Sequence, residues 1–347
     1  MPVIPNLMER TYMLRLNRGP GPMLDLFGGM SLEAAMLALD MEVFETLDDE
    51  PASSAELAER LDADETGIRT LLSFLEHTGY VTERTGTYSS TTMTETWLLE
   101  SAETSYARYF QFWQEVLYPF WREHAVDAIW EGEPPVSVYE WLDDHPDLWP
   151  TAQAAFELTA ELIGDDIAAR LDVPDGGSVL DVGGGHGLYS IAVCDRFPSV
   201  SATVLDEPAV RDIAAQNVAA AGLDDRITFE EGDYETDTFE STYDAALVFN
   251  VIHGNDRETN RELFDNLADA VVPGGQLAIL DQFGDEARAS IANTGTRFLD
   301  LTYLVSLGGR TYYTDSVFEW LDDAGFRRTG RHDFTDRNMT LLLAERA

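Results

Sequence analysis

The sequence contains no lysine, so all 22 basic residues are arginine, and 64 acidic residues give the 347-residue chain a formal net charge of −42. A lysine general base is therefore excluded. The acidic residues are spread along the chain rather than gathered in a tail. Nucleic-acid binding requires a positive surface, so the charge balance argues against nucleic acid as a partner.

An acidic surface of this kind resembles that of halophile-type proteins, which work in molar internal salt. Salt at that concentration screens the repulsion between like charges beyond a few ångströms. The charge by itself therefore does not indicate a function. An acidic face for a basic partner is the functional alternative, although no segment holds most of the charge.

Cysteine is almost absent as well: Cys194 is the single one. No intrachain disulfide and no cysteine-rich metal site can form, and Cys194 is expected to be a buried core residue. No run of about 18 apolar residues occurs, and no N-terminal signal pattern is visible. We therefore expect a reduced, cytoplasmic protein that does not bind a membrane.

A glycine-rich turn is the most informative feature that is present. The run SVLDVGGGHGLYSIAVCDRF at residues 178–197 predicts a strand that ends at Asp181, a turn and then a helix. The turn contains four glycines: Gly183, Gly184, Gly185 and Gly187. Glycine has no Cβ and permits positive φ, so the backbone can approach a ligand closely beneath a helix N-terminus. This pattern favours a nucleotide-like cofactor.

Three further predicted strands end in polar residues. The second strand ends at Asp206, 25 residues after Asp181, where an acidic side chain can accept hydrogen bonds from ribose hydroxyls. The third strand leads to Asp233, and the fourth delivers Asn250 and His253. Since parallel strands end at the same edge of a sheet, we expect these side chains to converge there.

The N-terminal part has a different pattern. Residues 22–100 predict three helices and two short strands, in the order of a winged helix. Many winged helices bind DNA, so a DNA-binding regulator is an alternative of another class. However, the third helix contributes only Arg69 and the hairpin only Arg84, which are few cations for phosphate contacts.

Residues 103–175 are predicted to be helical and are rich in large aromatic side chains. Packing between domains explains most of these side chains. Three or four of them are expected to line an apolar pocket for a flat organic substrate.

The spacing D-x-G-x-G-x-G differs from the dinucleotide fingerprint G-x-G-x-x-G and resembles motif I of class I S-adenosylmethionine-dependent methyltransferases. This resemblance implies an α/β, Rossmann-like domain with a seven-stranded sheet, and S-adenosyl-L-methionine as cofactor. It assigns Asp206 to the ribose hydroxyls, Asp233 and Tyr234 to the adenine, and Asn250 to the methionine part. Of the glycine-rich run, it assigns cofactor binding to Asp181, Gly183 and Gly185.

Over nearly its whole length the chain resembles small-molecule O-methyltransferases of the plant caffeate and acetylserotonin type and their bacterial relatives. The resemblance implies a winged-helix dimerisation domain over residues 1–102, a helical linker that lines the substrate pocket over 103–175, and the cofactor-binding methyltransferase domain over 176–347. It also implies a homodimer that methylates a hydroxyl of a small, largely apolar aromatic or polyketide-like molecule.

In that family a histidine after the fourth strand acts as general base within a motif resembling H-D-W-x-D. Here the string is H-G-N-D and begins at His253, so the base remains while the acid and the tryptophan do not. The two family carboxylates beside the base map onto Asp281 and Asp315, both shortened from glutamate.

The same base follows from chemistry. A phenol or alcohol is a poor nucleophile until its proton is removed, and a neutral imidazole can remove it near neutral pH. A carboxylate behind the ring would fix the tautomer. No metal-ligand cluster is evident. Several alternatives stay open: a purely structural His253, methylation of carbon or nitrogen, a non-methylating relative, and a regulator that senses S-adenosylmethionine.

Overall fold

The computed structural model describes residues 6–236, 239, 241–285, 290–335 and 337–347, without the side chains of residues 290 and 291. The chain divides into two compact units, Met1–Gln114 and Glu115–Ala347. In the described part of the chain, no helix is both long and apolar enough to cross a membrane.

The first unit consists of helices followed by a small hairpin. Its elements are α1 (Leu7–Arg10), α2 (Met23–Asp40), α3 (Val43–Asp49), α4 (Ser54–Arg60), α5 (Glu65–Thr78), β1 (Val81–Arg84), β2 (Thr87–Ser90), α6 (Thr92–Trp97) and α7 (Ala107–Phe112). β1 and β2 are antiparallel and form the predicted hairpin. The predicted order of helices followed by a hairpin is present, but four helices, α2 to α5, precede the hairpin where three were predicted, because the chain turns between α2 and α3 at Glu42, which has a left-handed φ of 55°.

Local signals set the ends of these helices. Ser53 accepts a hydrogen bond from the backbone N–H of Glu56, and the Glu56 side chain accepts one from the Ser53 N–H, which makes a capping box at the start of α4. α5 ends at Gly79, which has the left-handed φ of 82°. The buried faces of these helices pack around Phe44, Leu57 and Leu72, which have no exposed surface.

The second unit is a layered α/β domain. Its elements are α8 (Tyr118–Glu131), α9 (Val138–Asp143), α10 (Trp149–Ala168), β3 (Ser178–Val182), α11 (Leu188–Arg196), β4 (Ser201–Asp206), α12 (Arg211–Ala221), β5 (Ile227–Glu231), β6 (Tyr243–Phe249), α13 (Arg257–Ala270), β7 (Val271–Asp281), α14 (Ser290–Leu307), α15 (Thr314–Asp323), β8 (Phe326–Phe334) and β9 (Met339–Arg346).

The sheet of this unit has seven strands in the order β5-β4-β3-β6-β7-β9-β8. The first five are parallel to one another, whereas β9 is antiparallel to both β7 and β8. The chain builds outward from β3 in both directions, so the carboxyl end of β3 is the topological switch point where α/β proteins bind ligands. This topology confirms the predicted Rossmann-like fold.

Both faces of the sheet are covered. Along β6, Ala245, Leu247 and Phe249 point into one apolar cluster, while Ala246 and Val248 point into the other. Alternation of this kind, with apolar residues on both sides, is typical of a parallel sheet between two helical layers. The rigid strands hold the loops at their carboxyl ends, where the predicted site residues lie.

Candidate active site and cofactor cleft

The glycine-rich turn between β3 and α11 depends on its glycines. Gly183, Gly185 and Gly187 have left-handed φ values of 62°, 47° and 74°. A Cβ on Gly183 would lie 2.8 Å from Cγ2 of Val251, a separation that real Cβ atoms do not adopt. The turn therefore has the side-chain-free backbone that close approach of a ligand requires.

Asp206 lies at this turn, as the sequence predicts. Its Oδ2 accepts a hydrogen bond of 2.7 Å from the Gly185 N–H, and its Oδ1 accepts one of 2.7 Å from the Glu207 N–H. Burial raises the pKa of the Asp206 carboxyl above its ordinary value, and the hydrogen bonds from these two amides oppose that change. The carboxylate is half-buried at the end of β4. Its contact with a ribose stays a prediction.

Asp181 lies beneath the turn rather than at its surface. Its side chain has no exposed surface, and its Oδ2 accepts a 2.7 Å hydrogen bond from the Ser190 hydroxyl. A Cβ on Gly184 would come within 2.7 Å of the Asp181 carboxyl carbon. Desolvation by burial raises the pKa of Asp181 to about 7. The structure gives Asp181 a position under the glycines, and direct contact with a cofactor stays a prediction.

The raised pKa of Asp181 makes stability depend on pH. Because the folded pKa is about 7 and the ordinary value is 3.8, the unfolded chain releases this proton at lower pH than the folded chain does. The stability that the neutral carboxyl contributes is present below pH 3.8 and is lost as the pH rises toward 7. We therefore expect Asp181→Asn, which cannot ionise, to gain stability relative to the native chain by about 1 kcal/mol per pH unit across this interval.

Denaturant unfolding of both proteins at several pH values in molar KCl measures this difference. Asp212→Asn, at an exposed position at the start of α12, is the matched control and should follow the native curve. Parallel pH profiles for Asp181→Asn and the native chain would contradict the expectation.

Tyr234 and Asp233 follow β5 at the same edge of the sheet. The ring of Tyr234 lies beside the glycine turn, since its Cε1 would be 3.7 Å from a Cβ built on Gly183. Asp233 is exposed, and its carboxylate accepts local hydrogen bonds from the Glu235 N–H and the Thr236 hydroxyl. Tyr234 is thus at the turn, whereas the carboxylate of Asp233 orders its own loop. Their contacts with adenine stay predictions.

Asn250 directly follows β6 and has a left-handed φ of 56°. Asparagine tolerates this conformation better than most residues do. Its N–H donates a 2.8 Å hydrogen bond to the Leu280 carbonyl oxygen, which ties the end of β6 to β7. The sharp bend at Asn250 directs the following loop, which contains His253, over the end of β7.

His253 and Asp281 form a buried pair. His253 Nδ1 lies 2.8 Å from Asp281 Oδ1, and the His253 N–H donates to Asp281 Oδ2 over 3.3 Å. The same Oδ1 also accepts a 2.7 Å hydrogen bond from the Gln282 N–H, so the carboxylate is fixed. His253 is 8% and Asp281 1% exposed. With Nδ1 engaged by the carboxylate, Nε2 is the ring nitrogen available to accept a proton from a substrate.

Tyr303 also belongs to this site, although sequence reasoning did not single it out. Its ring is stacked on the His253 imidazole with centroids 3.9 Å apart and planes 15° from parallel. Its hydroxyl donates to Oε1 of Gln282, the residue after Asp281. The one signal in the sequence is an aromatic residue in α14, which a helical pattern cannot distinguish from a core residue.

Asp315 is not brought to His253. It lies in the first turn of α15 and is exposed. Within the described residues, no hydrogen bond or ion pair connects it to the imidazole, and the only carboxylate hydrogen-bonded to His253 is that of Asp281. The preceding residue, Thr314, is buried and donates from its N–H to Asp285. A catalytic role for Asp315 stays a prediction that this geometry does not support.

Aromatic side chains from α9 and α10 lie near the cofactor end of the site. Tyr139 stacks on Trp149, with centroids 6.4 Å apart and an interplanar angle of 8°, and meets the edge of Phe156. Desolvation, the largest cause, and the charges of Asp206 and Glu207 together raise the pKa of Tyr139 to about 12. Tyr139 nevertheless keeps 42% of its surface accessible. An accessible ring whose hydroxyl is desolvated is typical of the wall of a cleft.

A metal centre receives no support. Among the described residues, no group of three or more histidine, cysteine, aspartate or glutamate side chains could hold a metal ion.

Comparison with known families agrees with this arrangement. Residues 116–327 match the model of the O-methyltransferase domain, and residues 24–100 match the model of the O-methyltransferase dimerisation domain. The first match covers more than half of the chain, and the chain therefore belongs to the O-methyltransferase family.

Individual proteins show the same similarity. The 3-hydroxy-5-methyl-1-naphthoate 3-O-methyltransferase of Streptomyces sahachiroi is 27% identical over 314 residues, which cover 88% of this chain and 89% of that protein. A putative O-methyltransferase from Nostoc punctiforme superposes with a TM-score of 0.82 at 21% identity, covering 94% of this chain and 99% of that one. Human N-acetylserotonin methyltransferase, solved in complex with S-adenosylmethionine, has a TM-score of 0.79 at 21% identity and covers 99% and 100% of the two chains.

Proposed function

We propose that this O-methyltransferase transfers the methyl group of S-adenosylmethionine to a hydroxyl of a small, largely apolar aromatic or polyketide-like molecule, with His253 as general base. The observation that carries the proposal is the buried His253–Asp281 pair at the same edge of the sheet as a glycine-rich turn whose Gly185 N–H is hydrogen-bonded to the Asp206 carboxylate. The aromatic naphthoate substrate named for the Streptomyces relative supports an aromatic acceptor.

The residues at the switch point fit S-adenosylmethionine, which supplies a methyl group on a sulfonium when it is bound. Because Gly183 and Gly185 have no side chains, a ligand can approach their backbone closely, and the Asp206 carboxylate could accept hydrogen bonds from ribose hydroxyls. Tyr234 and Asp233 would hold the adenine end, and Asn250 the methionine end. Asp181 supports this set from below because it packs against Gly184.

His253 would remove the proton of the acceptor hydroxyl. Its neutral imidazole takes the proton at Nε2, while Asp281 at Nδ1 holds the tautomer and stabilises the imidazolium that forms. Tyr303 covers one face of the ring and so restricts its orientation. Much of the acceleration of methyl transfer comes from holding the acceptor oxygen in line in a site that excludes water.

Isothermal titration with S-adenosylhomocysteine in molar KCl tests the cofactor proposal. We expect one binding event per chain, and at least tenfold weaker binding for Asp206→Ala, which removes the carboxylate at the turn. Asp212→Ala, at an exposed position in α12, should bind like the native chain. Absence of binding to the native chain would contradict the proposed function.

The apolar surface of α2 supports a homodimer formed through the N-terminal unit. Leu26, Phe27, Met30 and Leu37 are each at least 40% exposed, and the segment falls within the match to the dimerisation domain. Exposed apolar side chains grouped on one helix mark an interaction surface. We propose a second copy of this chain as the partner. The boundaries 1–102, 103–175 and 176–347 stay part of this proposal.

A further inference from the structure

Asn255 lies within the H-G-N-D string that departs from the motif of the family, and it is buried. It is 4% exposed, and Asn260, one turn into α13, has no exposed surface. Two buried amides within five residues require hydrogen-bond partners, because an unsatisfied buried amide destabilises a fold. The hydrogen bonds of these two amides connect the loop that contains Tyr234 to the loop that contains His253.

Hydrogen bonds run from Tyr234 through Asn255 and Asn260 to the Ile252 carbonyl oxygen, and this carbonyl fixes the direction of every bond in the series. The Ile252 carbonyl can only accept, so Asn260 donates to it from Nδ2 over 2.9 Å and presents Oδ1 on its other side. Asn255 therefore donates from Nδ2 to that Oδ1 over 3.1 Å and presents its own Oδ1 to the Tyr234 hydroxyl, 3.2 Å away. Burial raises the pKa of Tyr234, so its hydroxyl stays protonated and donates.

The two ends of this hydrogen-bond chain lie in different loops of the site. At one end, the ring of Tyr234 lies beside Gly183 of the glycine turn. Ile252 directly precedes His253 in the loop that contains the base. The backbone of Asn255 is held as well, because the Tyr312 hydroxyl donates to its carbonyl oxygen over 2.6 Å. Asn255 thus stands between the cofactor side and the base side of the site.

We propose that Asn255 is a positioning residue that couples the loop holding the cofactor to the loop holding His253. The proposal rests on the proposed function, since Tyr234 is taken as part of the cofactor site. An occupied cofactor site holds Tyr234 in place, and Tyr234 holds the base loop through Asn255 and Asn260. A buried, fully connected chain of hydrogen bonds transmits such a constraint because its members satisfy one another.

A double-mutant cycle on S-adenosylhomocysteine affinity tests the coupling without any acceptor. Tyr234→Phe and Asn255→Ala each remove the bond between the hydroxyl and Oδ1. We expect each to raise the Kd about fivefold, and the double variant to raise it about fivefold rather than 25-fold, since all three lose the same interaction. Gln216→Ala, an exposed amide on α12, should leave the Kd unchanged.

Hydrogen exchange followed by mass spectrometry reads the coupling directly. In the native chain, saturating S-adenosylhomocysteine should slow amide exchange both at residues 183–188 and at residues 251–256. In Asn255→Ala it should slow exchange at residues 183–188 only. Asn255→Asp keeps an acceptor for the Tyr234 hydroxyl but replaces Nδ2, which donates to Asn260 Oδ1, by an oxygen that cannot donate. This variant should bind with a Kd within twofold of native, yet lose part of the slowing at residues 251–256.

The outcomes separate the two proposals. Additive Kd changes, or full slowing of the base loop in Asn255→Ala, would overturn the coupling while leaving the proposed function intact. A native chain that does not bind S-adenosylhomocysteine would overturn the proposed function itself. Near-UV circular dichroism of each variant confirms that the comparison is between folded proteins.

Discussion

Replacing His253 by alanine is expected to lower turnover about a hundredfold or more and to leave the affinity for S-adenosylhomocysteine nearly unchanged. In the proposed mechanism the imidazole accepts the proton, whereas the carboxylates assigned to the cofactor, Asp206 and Asp233, follow β4 and β5. Nδ1 of His253 is already engaged by Asp281, so the substitution removes an imidazole whose tautomer that carboxylate favours. A large effect on turnover without an effect on binding separates a base from a structural histidine.

Turnover is measured by mass spectrometry of methylated product, with a hydroxynaphthoate as the first acceptor tried, and affinity by titration. Asp281→Asn should also lower turnover, because an amide no longer favours the reactive tautomer. His332→Ala, at an exposed position on β8, serves as the matched control. Native turnover in His253→Ala would show that the histidine is part of the scaffold.

Gly309→Ala should also abolish most of the activity, although this residue has no reactive group. Gly309 is buried after the end of α14, and a Cβ there would overlap the His253 carbonyl oxygen and lie 2.9 Å from the Gly254 carbonyl carbon. These contacts are with backbone, which cannot rotate away. The next residue, Arg310, donates its N–H to the same His253 carbonyl over 2.9 Å. The alanine side chain must therefore displace the loop that contains His253.

A displacement of about 1 Å at a reacting group can lower a rate about a hundredfold, and overpacking of this kind destabilises a protein by about 1–3 kcal/mol. We expect both effects, measured by turnover and by denaturant unfolding. Gly295→Ala is the matched control: it lies within α14, where no atom of the described residues outside the helix's own backbone comes within 4 Å of the added Cβ, and it should raise stability slightly. Equal activity of the two glycine variants would contradict the steric argument.

Both predictions depend on how the loop after β6 is held from several sides. Asp281 and Tyr303 fix the ring of His253, Gly309 and Arg310 fix its backbone, and the Asn255 chain fixes the residue before it. The sequence singled out His253 as the candidate base because it follows a predicted strand end. Tyr303, Gly309 and Arg310, which also hold it, come from α14 and the segment after it, about 50 residues away along the chain.

Several features of the fold have local causes. The glycine-rich turn, the capping box at Ser53 and the stop at Gly79 follow from backbone preferences of single residues or short spacings. The proximity of Asp206 to the turn followed from the rule that parallel strands end at one edge. The family resemblance placed Asp281 beside His253, and the structure pairs them because β6 and β7 are adjacent.

Other features had no local cause. β8 was not predicted, because its residues are mostly polar and it is an edge strand that pairs only with β9. The family resemblance placed Asp315 beside His253, whereas in the structure the first turn of α15 leaves it exposed. A position along a helix predicts a face only when the packing of that helix is known.

The sequence by itself determined the order of the first four parallel strands, the glycine-rich turn at the end of β3, and the acids and the histidine at the carboxyl ends of those strands. Those features depend on the pattern of apolar residues, the spacing of motif residues and the conformational freedom of glycine, all of which are properties of residues close together in the sequence. Only the tertiary structure decided that Asp181 is buried, that Tyr303 stacks on His253 and that Asn255 joins Tyr234 to the base loop. Burial and long-range hydrogen bonds are properties of residues brought together by packing, and no short stretch of sequence specifies them.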